Sequence, residues 1–246
     1  MTEWAVYGQD LWKMKGADVK WAVFFALCCM ACMFVAWIRE AKKCESGLST
    51  VIVRLMGVAV FTLLAEWVFV SCSNARVASV ALGCYYASID WLLICMIEYV
   101  EAFVGAFHSR KYVRWLMRAV AAVDTLAFAA NIFLGQIFSI HNSAEAGQPL
   151  MWHISNHTAW FILHLAFTYL MAVFSVVSFA VQMHKTPGFY RGRFRTMLII
   201  FLTVIVLNSI HMSGTLSFDI SVFLYCILGM QICYYGLFYR PTGLIN

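Results

Sequence analysis

Ionisable side chains are scarce in this chain, and several sit inside stretches otherwise free of charge: Glu66, Asp90, Glu98, Glu101, Asp124, His164, His211 and Asp219. A charged or imidazole group surrounded by hydrocarbon is costly unless it is paired or functional, so these are the positions where chemistry is expected. By distance from the ends of the apolar stretches, Glu66, His164, His211 and Asp219 fall in one outer third and Asp90 near the middle. Glu98, Glu101 and Asp124 fall toward the opposite third. Asn208 and His211 are spaced i, i+3, and Trp160 and His164 i, i+4, so each pair shares a helix face. Carboxylates, imidazoles, an amide and an indole from several helices at a common depth suit a small polar ligand. Glu66, Asp90, Trp160, His164, Asn208, His211 and Asp219 are therefore the candidate ligand contacts. The plainer alternative is that each polar group pairs with a neighbour to hold helices together. Asp219, shortly after Gly214 and Ser217, also suits a helix cap.

A second group has the spacing of an ion-pair network. Glu98 and Glu101 are three apart and can meet Arg114, Arg118 or Arg195, as a latch of the third span against its neighbours or as a static staple. With Arg240, the residues Glu98, Glu101 and Arg195 are the candidates for signal relay. His153 and His157, four apart, have a spacing that grips a metal on a helix. Joined by His164 and His211 with Asp90 or Asp219, they would make a seven-helix metal-dependent membrane hydrolase, the competing class. The pattern lacks a tight zinc motif, so no metal is expected. The nine cysteines are scattered without a CxxC array and read as small apolar filler, and Cys72 and Cys84 are poorly placed for a bridge. Asn156-His157-Thr158 fits a glycosylation triplet, a pattern common by chance.

The elements that carry these residues follow from composition. Apolar residues make up 63% of the chain, charged residues 12%, and mean hydropathy is +0.80, which excludes an ordinary soluble domain. Seven stretches reach the roughly 20 residues needed to cross a bilayer: about 20 to 38, 49 to 71, 77 to 106, 115 to 138, 157 to 183, 195 to 214 and 218 to 239. Pro149, Pro187 and Pro241 all fall between or after them, so no span is kinked by proline. The chain divides into an interfacial segment at 1–19, a seven-span domain at 20–240 and a short stub at 241–246. The first segment interleaves Trp4, Tyr7 and Trp12 with acids and lacks a signal-peptide core, so the first span reads as a retained anchor.

Of the 17 Lys and Arg residues, 13 fall on one side of this layout and only Lys13, Lys15, Lys20 and Arg76 on the other. The cation-rich side is cytoplasmic by the positive-inside tendency, which puts the N-terminus outside and the C-terminus inside. The expected fold is an all-α membrane bundle with no nucleic-acid partner. Stretch 218–239 has no lysine for a retinal Schiff base, and Glu101-Ala102-Phe103 does not match the acidic-Arg-Tyr triplet of typical eukaryotic receptors. No phosphate-cradling loop, nucleophile elbow or HExxH occurs, and no repeat with broken helices suggests a transporter. No cofactor is expected, and the chain is read as a non-enzyme.

Three segments carry a family resemblance. They are Trp160-Phe161-Ile162-Leu163-His164-Leu165-Ala166-Phe167-Thr168-Tyr169-Leu170, then Pro187-Gly188-Phe189-Tyr190-Arg191 leading through Arg195 to Asn208, and Phe218-Asp219-Ile220 leading through Gly229 to Gly236-Leu237-Phe238-Tyr239-Arg240. The chain resembles the N-terminal seven-transmembrane sensory region of bacterial histidine kinases, also found ahead of diguanylate cyclase and other output domains. Glu66-Trp67 and Tyr99-Val100-Glu101 fit loosely, and the specific motifs lie in about 157 to 240. The resemblance implies a receptor in the bacterial inner membrane that takes a small ligand or other stimulus from outside. Its last helix would pass a movement to a cytoplasmic output domain, and the resemblance implies a homodimeric parent. The chain ends six residues after Arg240, so it is expected to be either a receptor domain cut from a longer protein or a stand-alone form acting through a partner. A third possibility is a membrane partner subunit without a ligand, in which the polar cluster is closed and self-paired.

Overall fold

In the computed structural model of this protein, residues 16–44, 46–104, 111–142, 152–155, 158–185, 188–212 and 221–238 are described. They form seven helices: α1 (Gly16–Lys43), α2 (Gly47–Ser71), α3 (Ala75–Val104), α4 (Lys111–Leu134), α5 (Ala159–Lys185), α6 (Gly188–Met212) and α7 (Ser221–Phe238). Inside hydrocarbon every backbone group must be satisfied within its own segment, and these proline-free apolar runs do so as helices. Six of them, α1 to α6, are long and apolar enough to cross a membrane, so the chain is a multi-pass membrane protein. The 18 residues of α7 rise about 27 Å.

Local signals set the helix ends. Ser46 and Ser49 form a reciprocal capping box at the start of α2, at 3.1 and 3.2 Å, with a serine in the place usually held by Glu or Gln. Asn74 Oδ1 accepts from the backbone of Arg76 and Val77 and caps α3. Gly135, at φ 61°, ends α4 in the left-handed conformation that glycine adopts without strain.

The helices depart from the expected spans mainly at the cation-rich end. The fourth runs from Lys111 to Leu134 rather than 115–138, and the sixth begins at Gly188 rather than 195. Arg114, Arg191 and Arg193 belong to helical turns, and a long basic side chain can carry its charge away from an apolar face, so the fall in hydropathy there does not mark a helix end. A second departure is a two-stranded antiparallel hairpin, β1 (Ser139–Asn142) with β2 (Trp152–Ser155), in the connection read from sequence as loop within an all-α fold.

The centre of the bundle is α3. In its most apolar stretch 83% of the residues are buried, against 44% or less in the other five candidate spans. It packs against α2, α4 and α5, while α7 closes the assembly against α6, α2 and α1. Leu93, Met96 and Tyr99 of α3 are fully buried, whereas Trp115, Phe133, Leu170 and Ile199 face outward, as expected where the surrounding solvent is lipid. At the cation-rich end α7 meets α2 and α3 through Gly236, where an added Cβ would lie 2.6 Å from Ile52 Cδ1 and 3.5 Å from a ring carbon of Tyr99. Alanine at 236 needs only the flexible tip of Ile52 to turn, so Gly236→Ala should cost under about 1 kcal/mol. Gly236→Leu overpacks the contact and should cost roughly 1–3 kcal/mol. Unfolding of the two variants in mixed micelles measures the difference, and equal stability would mean that α7 does not seat on Ile52 and Tyr99.

Candidate functional site

Asp90 on α3, Asp124 on α4 and His164 on α5 converge in the interior of the bundle, at 0%, 5% and 2% exposure. Each is carried there by an otherwise apolar helix face. His164 Nδ1 lies 2.8 Å from Asp124 Oδ2 and 3.6 Å from Asp90 Oδ2. The first is a strong charge-assisted hydrogen bond; the second is beyond hydrogen-bond length. Thr168, one turn along α5 from His164, donates its hydroxyl to Asp90 Oδ1 at 2.6 Å. Beside the acids, Trp91 Nε1 donates to Thr125 Oγ1 at 3.0 Å and fixes the register of α3 against α4.

Aromatic rings close over the imidazole. Phe128 stands edge-on to His164 at 4.8 Å between centroids, with Tyr86 at 5.6 Å and Phe161 at 6.1 Å. Phe138, just ahead of β1, packs on both Tyr86 and Phe128. Its backbone is held by buried Asn131, which accepts from Ile137 N at 2.7 Å and donates to Phe138 O at 3.3 Å. Thr158, at the start of α5, donates its hydroxyl to Ile137 O at 3.1 Å. The hairpin base is thus tied to both helices and seats its phenylalanine above the polar group.

From the expected ligand set, the structure brings Asp90 and His164 together and adds Asp124. The sequence reading assigned Asp124 to the same third as Glu98; with α4 starting at Lys111, it lies thirteen residues into the helix, level with Asp90. The presence of an acid on α4 was visible, but its depth was not. Thr168 carried a visible signal, since it follows His164 by four residues. Trp160, also four away on the other side, lies at the surface of α5 with 36% exposure. Glu66 is buried on α2 and Asn208 half-buried on α6. His211 belongs to α6 but its side chain, like Asp219 and Arg240 entirely, lies outside the described residues.

The expected ion-pair network is present in part at the cation-rich end. Arg118 binds Glu98 through Nε at 3.0 Å and through Nη2, and Arg114 reaches Glu101 at 3.1 Å. Arg54 of α2 approaches Glu98 at 3.8 Å, a partner the sequence reading did not include. Arg195 is exposed on α6; Arg193, two residues earlier, lies 5.0 Å over the ring of Tyr235 on α7.

Of the proposed hydrolase set, Asp90 and His164 are brought together. His153 stands in β2 opposite His141, and His157 lies outside the described residues. Asp90, Asp124 and His164 are the one group of acids and histidines, among the described residues, with donor atoms all within 4.8 Å and so able to hold a metal ion. No protein-family model and no curated protein matches this chain.

Because Asp124 balances a buried imidazole, Asp124→Ala leaves His164 without its closest partner and should cost about 3 kcal/mol. Thr168→Val removes one neutral donor and should cost about 1 kcal/mol. Equilibrium unfolding of both variants tests this order, and two equally small losses would mean that the triad does not hold the helices.

Proposed function

We propose that this chain is the sensory input module of a bacterial membrane signalling protein, with seven spans, the N-terminus outside and the cation-rich end in the cytoplasm. The carrying observation is that one central helix holds both polar layers. Asp90 sits in the buried triad, and Glu98 and Glu101, eight and eleven residues further along α3, pair with arginines of α2 and α4. At 1.5 Å per residue the layers are about 12 to 16 Å apart on a single stiff element. A stimulus that changes the charge or pairing of the triad changes what α3 gains by holding its present position.

The exit from this relay is α7. Tyr99 follows Glu98 directly and lies beside α7 at Gly236, where an added Cβ would be 3.5 Å from its ring, and Arg193 of α6 covers Tyr235 next to it. A shift of α3 therefore reaches the last helix through packed groups with little room to absorb it. An output domain attached or docked at that end would receive the movement. The resemblance to kinase input regions in 157–240 and the charge asymmetry support the same direction. On this reading the closed triad is the element a stimulus acts on, and no open ligand pocket around Trp160 is required.

Hydrogen–deuterium exchange on the protein in nanodiscs tests the relay. Asp124→Asn should raise exchange at Glu98–Val104 and in the Gly236 turn of α7, while Phe34→Ala, a comparable loss of packing between α1 and α7, leaves Glu98–Val104 unchanged. Exchange altered only beside residue 124 would contradict the relay and leave the triad a static staple.

A further inference from the structure

We propose that Asp90, Asp124 and His164 form a binding site for one first-row divalent metal ion of the Zn²⁺ type, with His164 Nδ1, Asp124 Oδ2 and Asp90 Oδ2 as its ligands. The inference does not rest on the sensory reading, since a metal could be held there with or without a relay.

The first argument is a mismatch between donors and acceptors. His164 Nδ1 carries at most one proton and gives it to Asp124 at 2.8 Å, while Asp90 Oδ2, aimed at the same nitrogen from 3.6 Å, takes no hydrogen bond although Asp90 is wholly buried. A buried carboxylate oxygen left this way is costly. Each of the three side chains offers a donor atom within 4.8 Å of the other two, so a single cation between them can serve all three. With a ring nitrogen at about 2.0 Å and carboxylate oxygens at about 2.0–2.2 Å, the edges of a tetrahedral site are roughly 3.4 Å. The observed 2.8 and 3.6 Å bracket that length, and the whole donor set spans no more than 4.8 Å.

Charge gives the second argument. As metal ligands, two carboxylates and a neutral imidazole would together supply two negative charges, which a divalent ion cancels in the apolar interior. Binding takes the Nδ1 lone pair, so the single proton of the neutral ring moves from Nδ1 to Nε2. Thr168, bonded to the other oxygen of Asp90 at 2.6 Å, orients that carboxylate as an outer-shell partner does. Phe128, Phe161 and Tyr86 pack round the imidazole and limit water near it. One imidazole with two carboxylates suits Zn²⁺ or Mn²⁺ better than a thiolate-seeking ion, and the nitrogen disfavours Mg²⁺.

The test is metal content and affinity of the purified, tag-free full chain in detergent. After chelator treatment, equilibrium dialysis against Zn²⁺ should return about one ion per chain, and Co²⁺ in its place should give the visible absorption of a low-coordinate N/O site. Asp90→Asn, Asp124→Asn and His164→Ala, each checked for retained helix by circular dichroism, should abolish that ion. Thr168→Val should keep it with roughly tenfold weaker binding. His141→Ala with His153→Ala should leave it unchanged, because the hairpin histidines are not among its ligands. Should a triad variant fail to fold, the Thr168→Val affinity and the wild-type Co²⁺ spectrum decide. No Zn²⁺ retained by the wild type, or an ion lost with His141 and His153 and kept without the triad, overturns the site. The readout is metal alone, so its failure leaves the exchange test of the relay untouched.

Discussion

The buried hydrogen bond between His164 and Asp124, with Asp90 beside it, is the constraint on which the rest of the bundle depends. Two acids and an imidazole are affordable in hydrocarbon only if three helices stay in a fixed register around them. The neighbouring bonds serve that register. Trp91 to Thr125 fixes α3 on α4, and Thr168 to Asp90 fixes α5 on α3. With these in place α3 is surrounded on most of its length, which explains why it is by far the most buried of the six candidate spans.

The closure above the triad depends on the same requirement. A polar group this close to the end of α5 would take up water unless something covered it, and Phe138 does so because Asn131 and Thr158 hold the turn that carries it. The hairpin is thus part of the site even though its strands are only four residues long. At the other end, Glu98 and Glu101 meet arginines on α2 and α4, and Tyr99 between them meets α7. Polar anchors at two levels of one helix make α3 the element through which the ends of the molecule can be coupled.

Much of the architecture was legible in the sequence because long apolar runs without proline have one solution in a bilayer. The positions of Glu98 and Glu101 relative to Arg114 and Arg118 were legible too, since local spacing and the turn after α3 bring them to the same end. The triad was half legible. Asp90 and His164 stood out as charges in apolar surroundings, but the depth of Asp124 hinged on where α4 begins, and Lys111 to Arg114 form a helical turn that hydropathy alone assigns to a loop. Four residues along a helix are about 6 Å, enough to move a side chain from one polar layer to another. The hairpin was not legible because four-residue strands show too little alternation to separate from loop. Trp160 was misleading for a related reason: a shared helix face near the end of α5 includes its lipid side, and Phe161, one residue on, is the ring that meets His164.

The central claim is that the triad and the Glu98 ion pair act on one another through α3, and a double-mutant cycle measures this directly. Asp124→Asn and Glu98→Gln, singly and together, are unfolded in mixed micelles and the coupling energy is taken from the four stabilities. The sites are too far apart for direct contact, so a coupling of about 1 kcal/mol is the result expected of a shared element. Additivity within about 0.5 kcal/mol would contradict it, leaving two independent staples on the same helix.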